Sequence, residues 1–344
     1  MPQESDKKLL ILYIYDVLKN ESDEDNPLKQ KDIIDKVKSA SGITCNRKTI
    51  KANIDALNTY FDNIKSDLQI IRTPKGKTKD KSGFYLSGRA LERSMLQFLV
   101  DAIYSNRGLS AQDAKEIANI LMSEEYKEVK KKFEYILNAP NIARTRNRDL
   151  FLNIEIINEA IEQNKKIKFL YLEYDMHKEL VPRHDGKEYA VSPYFMLNSQ
   201  GRYFLVCKRD DKDDVGNFKI DRLRDIKILN DRRYPFKSIK GYEKGITKEQ
   251  YINENPLMFG GERITTILRI HKNFIINDLV ESFGTNVTFL NKSDGIYAYV
   301  QSSAKAIVAW VFQYGEAIEI VAPASQVAEI KELSEIVYGF YHKS

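Results

Sequence analysis

The sequence has few of the residues that form covalent cross-links or bind metal ions. Its two cysteines, Cys45 and Cys207, are far apart and belong to no CxxC pair. This spacing indicates neither a disulfide framework nor a cysteine zinc site, and it fits a reducing compartment. The four histidines also lack the paired spacing of a metal site; they are His177, His184, His271 and His342. We therefore expect no metal ion and no other cofactor.

Catalytic motifs are absent as well. The chain contains no GxSxG, no glycine-rich dinucleotide loop and no kinase signature. Gly76-Lys77-Thr78 matches the end of a phosphate-binding loop, but that loop requires a glycine five residues before Gly76, where Ile71 stands. We therefore expect that the protein is not an enzyme.

Long apolar runs are missing too. The first one, Leu9 to Tyr15, is too short and wrongly flanked for a signal peptide or a membrane span. We expect a cytoplasmic protein with no membrane partner. The hydrophobic fraction of 42% and the charged fraction of 30% are typical of folded chains, and 344 residues exceed the usual size of one hydrophobic core. The sequence therefore predicts two or three domains.

Positive charge is concentrated in one short stretch. The net charge of +5 is too small to indicate a nucleic-acid partner by itself. Between Thr44 and Lys81, however, there are nine basic and four acidic residues, and nine minus four gives +5 within that stretch alone. The basic residues are Arg47, Lys48, Lys51, Lys65, Arg72, Lys75, Lys77, Lys79 and Lys81.

Three short helices and a hairpin are predicted around this stretch. Apolar spacing predicts one helix from Lys7 to Asn20 and a second that begins near Pro27 or Leu28 and is stopped by Ser41-Gly42. Asn46 is placed to cap a third helix, whose buried stripe is Ile50, Ile54, Leu57 and Phe61. Strand-forming residues on both sides of a Lys/Gly-rich turn then predict a β-hairpin. We interpret residues 1–88 as a winged helix-turn-helix.

The outer side of the third helix is the predicted DNA-reading surface. With the apolar stripe inward, Lys48, Thr49 and Lys51 lie outward, and Arg47 lies at the N-terminal end. Residues at this end of the second helix of a helix-turn-helix reach base edges in the major groove. The turn of the hairpin would then follow the DNA backbone through Lys75, Lys77 and Lys79. Taken alone, this turn also fits a solvated hairpin; its position after three helices favours the wing.

The rest of the chain divides into four predicted segments. Helical periodicity predicts a linker or dimerisation region over residues 89–148. Short strands separated by turns predict a small antiparallel β-barrel over residues 149–230. A polar, irregular linker over 231–262 precedes mixed strand and helix patterns, which predict a small α+β domain over 263–344. We therefore predict an α+β multidomain fold.

Three sequence blocks in the predicted barrel resemble the WYL domain family. They are Ser-Pro-Tyr at 192–194, Tyr-Phe-Leu at 203–205 and Asp-Arg-Leu at 221–223. The resemblance implies an Sm-like small β-barrel whose polar pocket binds a regulatory ligand, in several cases nucleic acid. The pocket residues that it implies are Ser192, Tyr194, Tyr203, Lys219 and Arg222. Residues 45–57 resemble the recognition helix of DeoR-like and WYL-associated regulators, and residues 262–341 resemble the C-terminal extension that commonly follows WYL domains.

The chain departs from the family pattern at four places. Residues 203–204 are Tyr-Phe where the family has Trp-Tyr, so aromatic character is kept. Lys219 stands where the family usually has Arg, which keeps the charge but loses the planar fork that binds phosphate or carboxylate with two hydrogen bonds. Gly216 stands where relatives commonly have an Arg. Residues 52–53 are Ala-Asn where the related regulators often have an Arg-Asp pair. Without the resemblance, the pocket residues fit ordinary strand positions and a surface ion pair.

The leading interpretation is a DNA-binding transcriptional regulator. A homodimer would bind a roughly palindromic double-stranded operator, and a ligand in the WYL-like domain would alter the spacing of the two DNA-reading units. The expected effector is a nucleic acid or a nucleotide-like anion, with single-stranded DNA and nucleotides as candidates. The alternative is an RNA- or single-strand-binding accessory protein of nucleic-acid metabolism, which would bind mainly through the Sm-like domain.

Overall fold

The chain passes back and forth between two structural units. The computed structural model describes residues 8–73, 82–89, 91–122 and 144–342. The first unit contains residues 1–105 and 111–143, and the second contains residues 106–110 and 144–344. The chain therefore passes into the second unit twice. Within the described ranges, no helix is both long enough and apolar enough to cross a membrane.

Three helices at the start of the first unit pack around one apolar core. They are α1 (Leu10–Glu21), α2 (Gln30–Ser41) and α3 (Arg47–Asn63). Gly42 ends α2 with a left-handed φ of 72°, and the Asn46 side chain accepts a hydrogen bond of 2.9 Å from the Thr49 amide at the start of α3. The core contains the stripe predicted for α3: Ile50, Ile54, Leu57 and Phe61. The three helix predictions are confirmed.

A short β-hairpin follows α3 and is bonded to it. Its strands, β1 (Gln69–Arg72) and β2 (Phe84–Ser87), pair antiparallel, as predicted. The side chain of Asn58 on α3 accepts from the Ile70 amide at 2.7 Å and donates to the Ile70 carbonyl at 3.0 Å. Phe84 exchanges two backbone hydrogen bonds with Leu28, which lies just before α2. The hairpin is thereby held against the helices on both of its strands.

Two further helices complete the described part of the first unit. They are α4 (Arg93–Ser105) and α5 (Ala111–Leu121), and they pack through Leu96, Val100, Ala118 and Met122. The connection between them, residues 106–110, belongs to the second unit. The remainder of the predicted helical region, residues 123–143, lies outside the described residues.

The second unit contains α6 (Leu150–Glu162) and a six-stranded antiparallel sheet. The strands are β3 (Lys165–Tyr174), β4 (Leu180–Pro182), β5 (Glu188–Ser199), β6 (Arg202–Arg209), β7 (Val215–Lys219) and β8 (Leu223–Arg232). Their order is β4-β3-β5-β6-β7, and β8 also pairs with β3. An aromatic cluster with ring centroids 5.0 to 6.4 Å apart lies on this sheet: Phe169, Tyr171, Tyr189 and Phe218.

The backbone changes from a strand to a 3-10 turn at the end of β7. The strand ends at Lys219, and Ile220–Arg222 form a 3-10 turn. Side-chain amides explain the change, because they bind the carbonyl groups that a continuing strand would offer to its neighbour. Asn153 donates to the Ile220 carbonyl at 3.2 Å, and Asn147 donates to the Asp221 carbonyl at 3.0 Å.

The segment after β8 contains more structure than its polar sequence indicates. It includes α7 (Lys248–Glu254), which Thr247 caps by accepting from the Gln250 amide at 3.2 Å. Gly260 lies so close to β7 that a Cβ there would overlap the Val215 carbonyl oxygen. Large side chains of this segment are buried in a shared apolar cluster with Tyr194 and Phe204 of the sheet: Ile239, Tyr242, Tyr251 and Met258.

The C-terminal part of the second unit is a four-stranded sheet with three helices. The elements are β9 (Arg263–Ile270), α8 (Ile275–Phe283), β10 (Val287–Lys292), β11 (Gly295–Ser303), α9 (Ala304–Tyr314), β12 (Ile318–Ala322) and α10 (Ala324–Tyr341). The antiparallel order β10-β11-β9-β12 is that of a split βαβ fold. Trp310 is buried in its core and donates to the Ser282 hydroxyl at 3.0 Å. The predicted α+β character is confirmed.

Two glycines with similar backbone angles test how closely the hairpin packs. Gly88 has a φ of 79°, and a Cβ there would overlap the Asp67 carbonyl oxygen; Gly42 has a φ of 72°, and a Cβ there would meet no atom within 4 Å. Gly42→Ala should cost about 1 kcal/mol through backbone strain, and Gly88→Ala should cost clearly more. Urea unfolding of the full chain measures both losses. Equal losses would show that the Asp67 backbone moves aside freely.

Candidate nucleic-acid and ligand sites

The N-terminus of α3 forms an exposed basic surface. Three charged side chains are exposed there: Arg47, Lys48 and Lys51. The fourth predicted contact, Thr49, is partly buried, and its hydroxyl donates to the capping Asn46 side chain at 3.0 Å. The side chain of Gln30, the first residue of α2, donates to the Arg47 carbonyl at 3.3 Å. Two helix N-termini therefore lie next to each other, and the positive ends of both helix dipoles add to the basic surface.

The positive charge of α3 is confined to its first turns. Farther along the same side, the helix exposes Asp55 and Thr59. The other predicted DNA contacts come between β1 and β2 in the sequence and lie outside the described residues: Lys75, Lys77 and Lys79. Among the described residues, the predicted DNA contacts are therefore those at the N-terminus of α3.

The second unit contains a cavity of about 330 Å³ beside the turn that joins β5 and β6. Its walls come from the strand ends of the sheet and from two segments distant in sequence, at Arg107 and at residues 257–259. Its charged side chains are Arg107, Arg202 and Lys219, and its aromatic side chains are Tyr171, Phe204 and Phe259. A cavity of this size and composition fits an anion that also carries a flat ring.

A buried carboxylate lies among the cations. Asp221 accepts from the Arg202 guanidinium at 3.2 Å, and its other carboxylate oxygen has no partner in the described part of the chain. Burial raises the pKa of Asp221, and the positive charges of Arg202, Arg222 and Lys219 partly offset that rise. Across the described ranges, no three His, Cys, Asp or Glu side chains lie close enough to hold a metal ion. Asp221 is therefore an ion-pair partner for the cationic wall.

Lys219 lies in an unfavourable electrostatic environment. Burial lowers the pKa of its ammonium group, and the positive charges of Arg222 and Arg202 lower it further. Among the described ion pairs, none involves Lys219. An anion in the cavity would relieve the repulsion, so this arrangement of charges favours binding of negative charge.

Arg222 borders the cavity without lining it. Its guanidinium lies over the Tyr174 ring, 5.3 Å from the ring centroid. Its Nε atom is buried, and no described group accepts a hydrogen bond from it. Tyr171 lies beside this corner, where its hydroxyl accepts from the Lys219 amide at 3.4 Å and where burial raises its pKa. Arg222 therefore acts on the cavity mainly through its charge.

Three residues that the resemblance implies for the pocket lie elsewhere. The buried Ser192 hydroxyl accepts from the Tyr234 amide at 2.8 Å. Tyr194 packs against Phe236 with ring centroids 4.8 Å apart, and burial raises the pKa of its hydroxyl. Tyr203 is not a lining residue; it is the strand neighbour of the lining residue Phe204 and faces the other side of the sheet. The structure thus brings Lys219 and Arg222 together and leaves Ser192, Tyr194 and Tyr203 outside the cavity.

Two of the three lining cations were missed by sequence reasoning. Arg202 lies two residues before Phe204, which pairs with Lys219 between β6 and β7, so the strand register was the signal that could have found it. Arg107 has no local signal. It reaches the cavity because the amides of Arg107 and Gly108 both donate to the Gly201 carbonyl, at 2.8 and 3.2 Å.

The central part of this unit matches a known domain family. Residues 153–228 match the WYL domain. The matched range includes Arg202, Lys219 and Arg222, whereas Arg107 and residues 257–259 lie outside it. The basic cavity is therefore lined by residues of the matched range together with two segments from other parts of the chain.

Several solved structures resemble this chain, and two distant ones are described below. The proteasome accessory factor B/C (PafBC) of Arthrobacter aurescens is 14% identical, with a TM-score of 0.29, over 97% of this chain and 49% of that chain. This chain therefore spans about half the length of the Arthrobacter protein. A CRISPR Cas-related protein is 12% identical, with a TM-score of 0.34, over 98% of this chain and 84% of that chain. A search of curated proteins finds no match.

Lys219→Gln should stabilise the free protein, because it removes a charge that burial and two arginines disfavour. The lowered pKa means that the folded protein binds this proton less tightly than the unfolded chain does. The cost is therefore present at neutral pH and disappears as pH rises through the lowered pKa to the ordinary value of 10.5. We expect a gain of about 1 kcal/mol or less at neutral pH, since water screens a half-exposed charge.

Urea unfolding of the full chain at neutral and alkaline pH measures this gain. Lys244→Gln is the matched control, because Lys244 is an exposed lysine of the same unit. A loss of stability for Lys219→Gln at neutral pH, with Lys244→Gln unchanged, would contradict the electrostatic argument.

Proposed function

We propose that this protein is a transcriptional regulator that binds duplex DNA through its first unit and a phosphate-bearing ligand through its second. The observation that carries the proposal is the exposed basic N-terminus of α3, fixed beside the N-terminus of α2 by the Gln30 hydrogen bond. In this proposal α2 and α3 are the two helices of a helix-turn-helix, and the β1–β2 hairpin is its wing.

The geometry of α3 suits the major groove. Its apolar stripe is buried, so the side that carries Lys48 and Lys51 faces solvent over the first turns. Arg47 and Lys48 would reach base edges, while the two helix N-termini would attract phosphates through their dipoles. Thr49 would contact the DNA backbone at the edge of this surface, because its hydroxyl is already hydrogen-bonded to Asn46. The predicted wing lysines at 75, 77 and 79 would add phosphate contacts that carry no sequence preference.

The ligand proposed for the second unit is a nucleic-acid fragment or a nucleotide. Arg202 and Lys219 would bind phosphate oxygens with charge-assisted hydrogen bonds, and Phe259, 49% exposed, would stack on a base. The WYL domain match supports a ligand-sensing role for this region. Oligonucleotides and free nucleotides share the required chemistry, and a binding experiment separates them.

A homodimer is part of the proposal. Two copies related by a twofold axis would read the two halves of a palindromic operator. The last turns of α10 expose a group of large apolar side chains that is suited to contact with a second copy: Ile336, Tyr338, Phe340 and Tyr341.

Replacing Arg47 and Lys48 together by alanine should weaken duplex binding. Because both side chains reach base edges in this proposal, their loss should also reduce the preference for the upstream duplex over an unrelated duplex. The affinity should fall by about tenfold or more near physiological salt. Fluorescence anisotropy of the full chain, with the duplex upstream of its gene and an unrelated duplex of equal length, measures both quantities. Lys244→Ala, an exposed lysine of the other unit, is the control.

Binding by the unsubstituted protein, the parent, distinguishes a transcriptional regulator from an accessory protein in the same experiment. Salt-sensitive binding that prefers the upstream duplex supports the regulator. Binding to single-stranded DNA or RNA without any preference for duplex would instead support an accessory protein of nucleic-acid metabolism, whose main binding surface would be the basic cavity.

Lys219→Gln and Arg222→Ala should both weaken ligand binding, to different degrees. Lys219 lines the cavity, and loss of a charge-assisted hydrogen bond reduces affinity by about tenfold or more. Arg222 acts through its charge, so its loss should reduce affinity by about fivefold or less. Calorimetric titration with a 5′-phosphorylated thymidine oligonucleotide measures this, with the mononucleotide and inorganic phosphate as separate arms. Arg224→Ala, an exposed neighbour on β8, is the control. If Arg222→Ala leaves binding and the duplex response intact, Arg222 has no place in the site.

A further inference from the structure

Both places where the chain passes into the second unit lie beside the basic cavity. The first crossing is residues 106–110, between α4 and α5, and the second crossing begins at Arg144. The first crossing is bonded to Gly201, the residue before Arg202. The second crossing is bonded to the turn that follows Lys219. The ligand cavity and both crossings of the chain therefore share the same part of the fold.

The first crossing is fixed to the sheet by backbone hydrogen bonds. The Arg107 and Gly108 amides donate to the Gly201 carbonyl at 2.8 and 3.2 Å. Gly108 is buried, and a Cβ there would lie 3.3 Å from the Asn106 side-chain oxygen, tighter than ordinary contact. The Arg107 side chain, by contrast, is exposed at the cavity rim. The backbone of this segment is held while its arginine is accessible to a ligand.

The second crossing joins the first one to the far wall of the cavity. The Thr145 amide donates to the Arg107 carbonyl at 3.0 Å, and the Arg144 guanidinium donates to the Asn106 carbonyl at 3.0 Å. Two residues later, Asn147 donates to the Asp221 carbonyl at 3.0 Å. A continuous set of hydrogen bonds thus runs from the Gly201 turn through both crossings to the turn that carries Asp221.

We propose that Arg107 contacts the bound ligand and that this contact transmits occupancy of the cavity to α4 and α5. The inference rests on the proposed function, because it assigns the regulation of the same site. Arg107 lies between these two helices in the chain, so whatever restricts its backbone restricts the connection between them. The ligand phosphate would draw the Arg107 guanidinium toward Arg202 and Lys219. The ligand then favours whichever arrangement of the α4–α5 connection lets Arg107 reach it.

The test compares Arg107→Ala with Arg146→Ala in the full chain. Arg146 is the matched control: it is exposed on the second crossing and pairs with Glu179 at 3.0 Å, away from the cavity-lining residues. The probe is a 5′-phosphorylated thymidine oligonucleotide. Its direct affinity, and the duplex affinity with and without saturating probe, are measured for each variant. Hydrogen exchange of residues 106–110 and 144–147 is followed under the same conditions.

The expected result is a loss of coupling that exceeds the loss of binding. Arg107→Ala should reduce probe affinity by about tenfold or less, since an exposed ion pair contributes little. In the parent and in Arg146→Ala, saturating probe should change duplex affinity by about fivefold or more. In Arg107→Ala that change should fall below about twofold, and protection of residues 106–110 by the probe should disappear.

Three outcomes would overturn the inference, and they differ in whether they also contradict the proposed function. If Arg107→Ala keeps the full duplex response at saturating probe, Arg107 does not transmit, and the proposed function stands. If the probe protects residues 106–110 equally in both variants, the contact itself is wrong. If the parent binds no duplex, the proposed function fails and the inference fails with it.

Discussion

The cationic wall of the cavity depends on one ion pair, between the buried carboxylate of Asp221 and the Arg202 guanidinium. Arg202 and Lys219 line the cavity, Arg222 borders it, and Asp221 is the carboxylate placed among them. Removing that carboxylate would leave three like charges in a half-buried corner, which costs far more than the ion pair itself contributes. The Asp221 backbone also accepts from Asn147, so the same residue fixes both the charge and the shape of the wall.

This arrangement leaves the cavity short of negative charge. Asp221 satisfies Arg202 but is not paired with Lys219, whose pKa is lowered by burial and by its arginine neighbours. A ligand phosphate would supply the missing charge and remove the cost of holding the lysine there. Stability and affinity are therefore expected to oppose each other at this position, as they commonly do in binding sites.

The first three helices and the hairpin of the first unit were predictable from sequence because their determinants are local. The stripe of α3, the Asn46 cap and the Gly42 stop all lie within a few residues of the structure they specify. The cavity was predictable only in part. Arg222 belongs to a recognisable block and Lys219 lies two residues before it, whereas Arg107 reaches the cavity through backbone bonds to Gly201 that no local pattern encodes. The helix α7 was missed because its buried face, which includes Tyr251, is short and surrounded by polar residues.

The chain passes into the second unit twice, and this limits how the protein could have acquired, or could exchange, its ligand cavity. Residues 153–228 match one domain family, and recombination could move such a range between proteins. The cavity, however, is also lined by Arg107, which precedes that range, and by Phe259, which follows it. A chimera that transfers the central range alone would carry Lys219 into a host without these two walls. New ligand preferences are therefore more accessible by changing Arg107 or Phe259 around a constant sheet than by swapping the sheet itself.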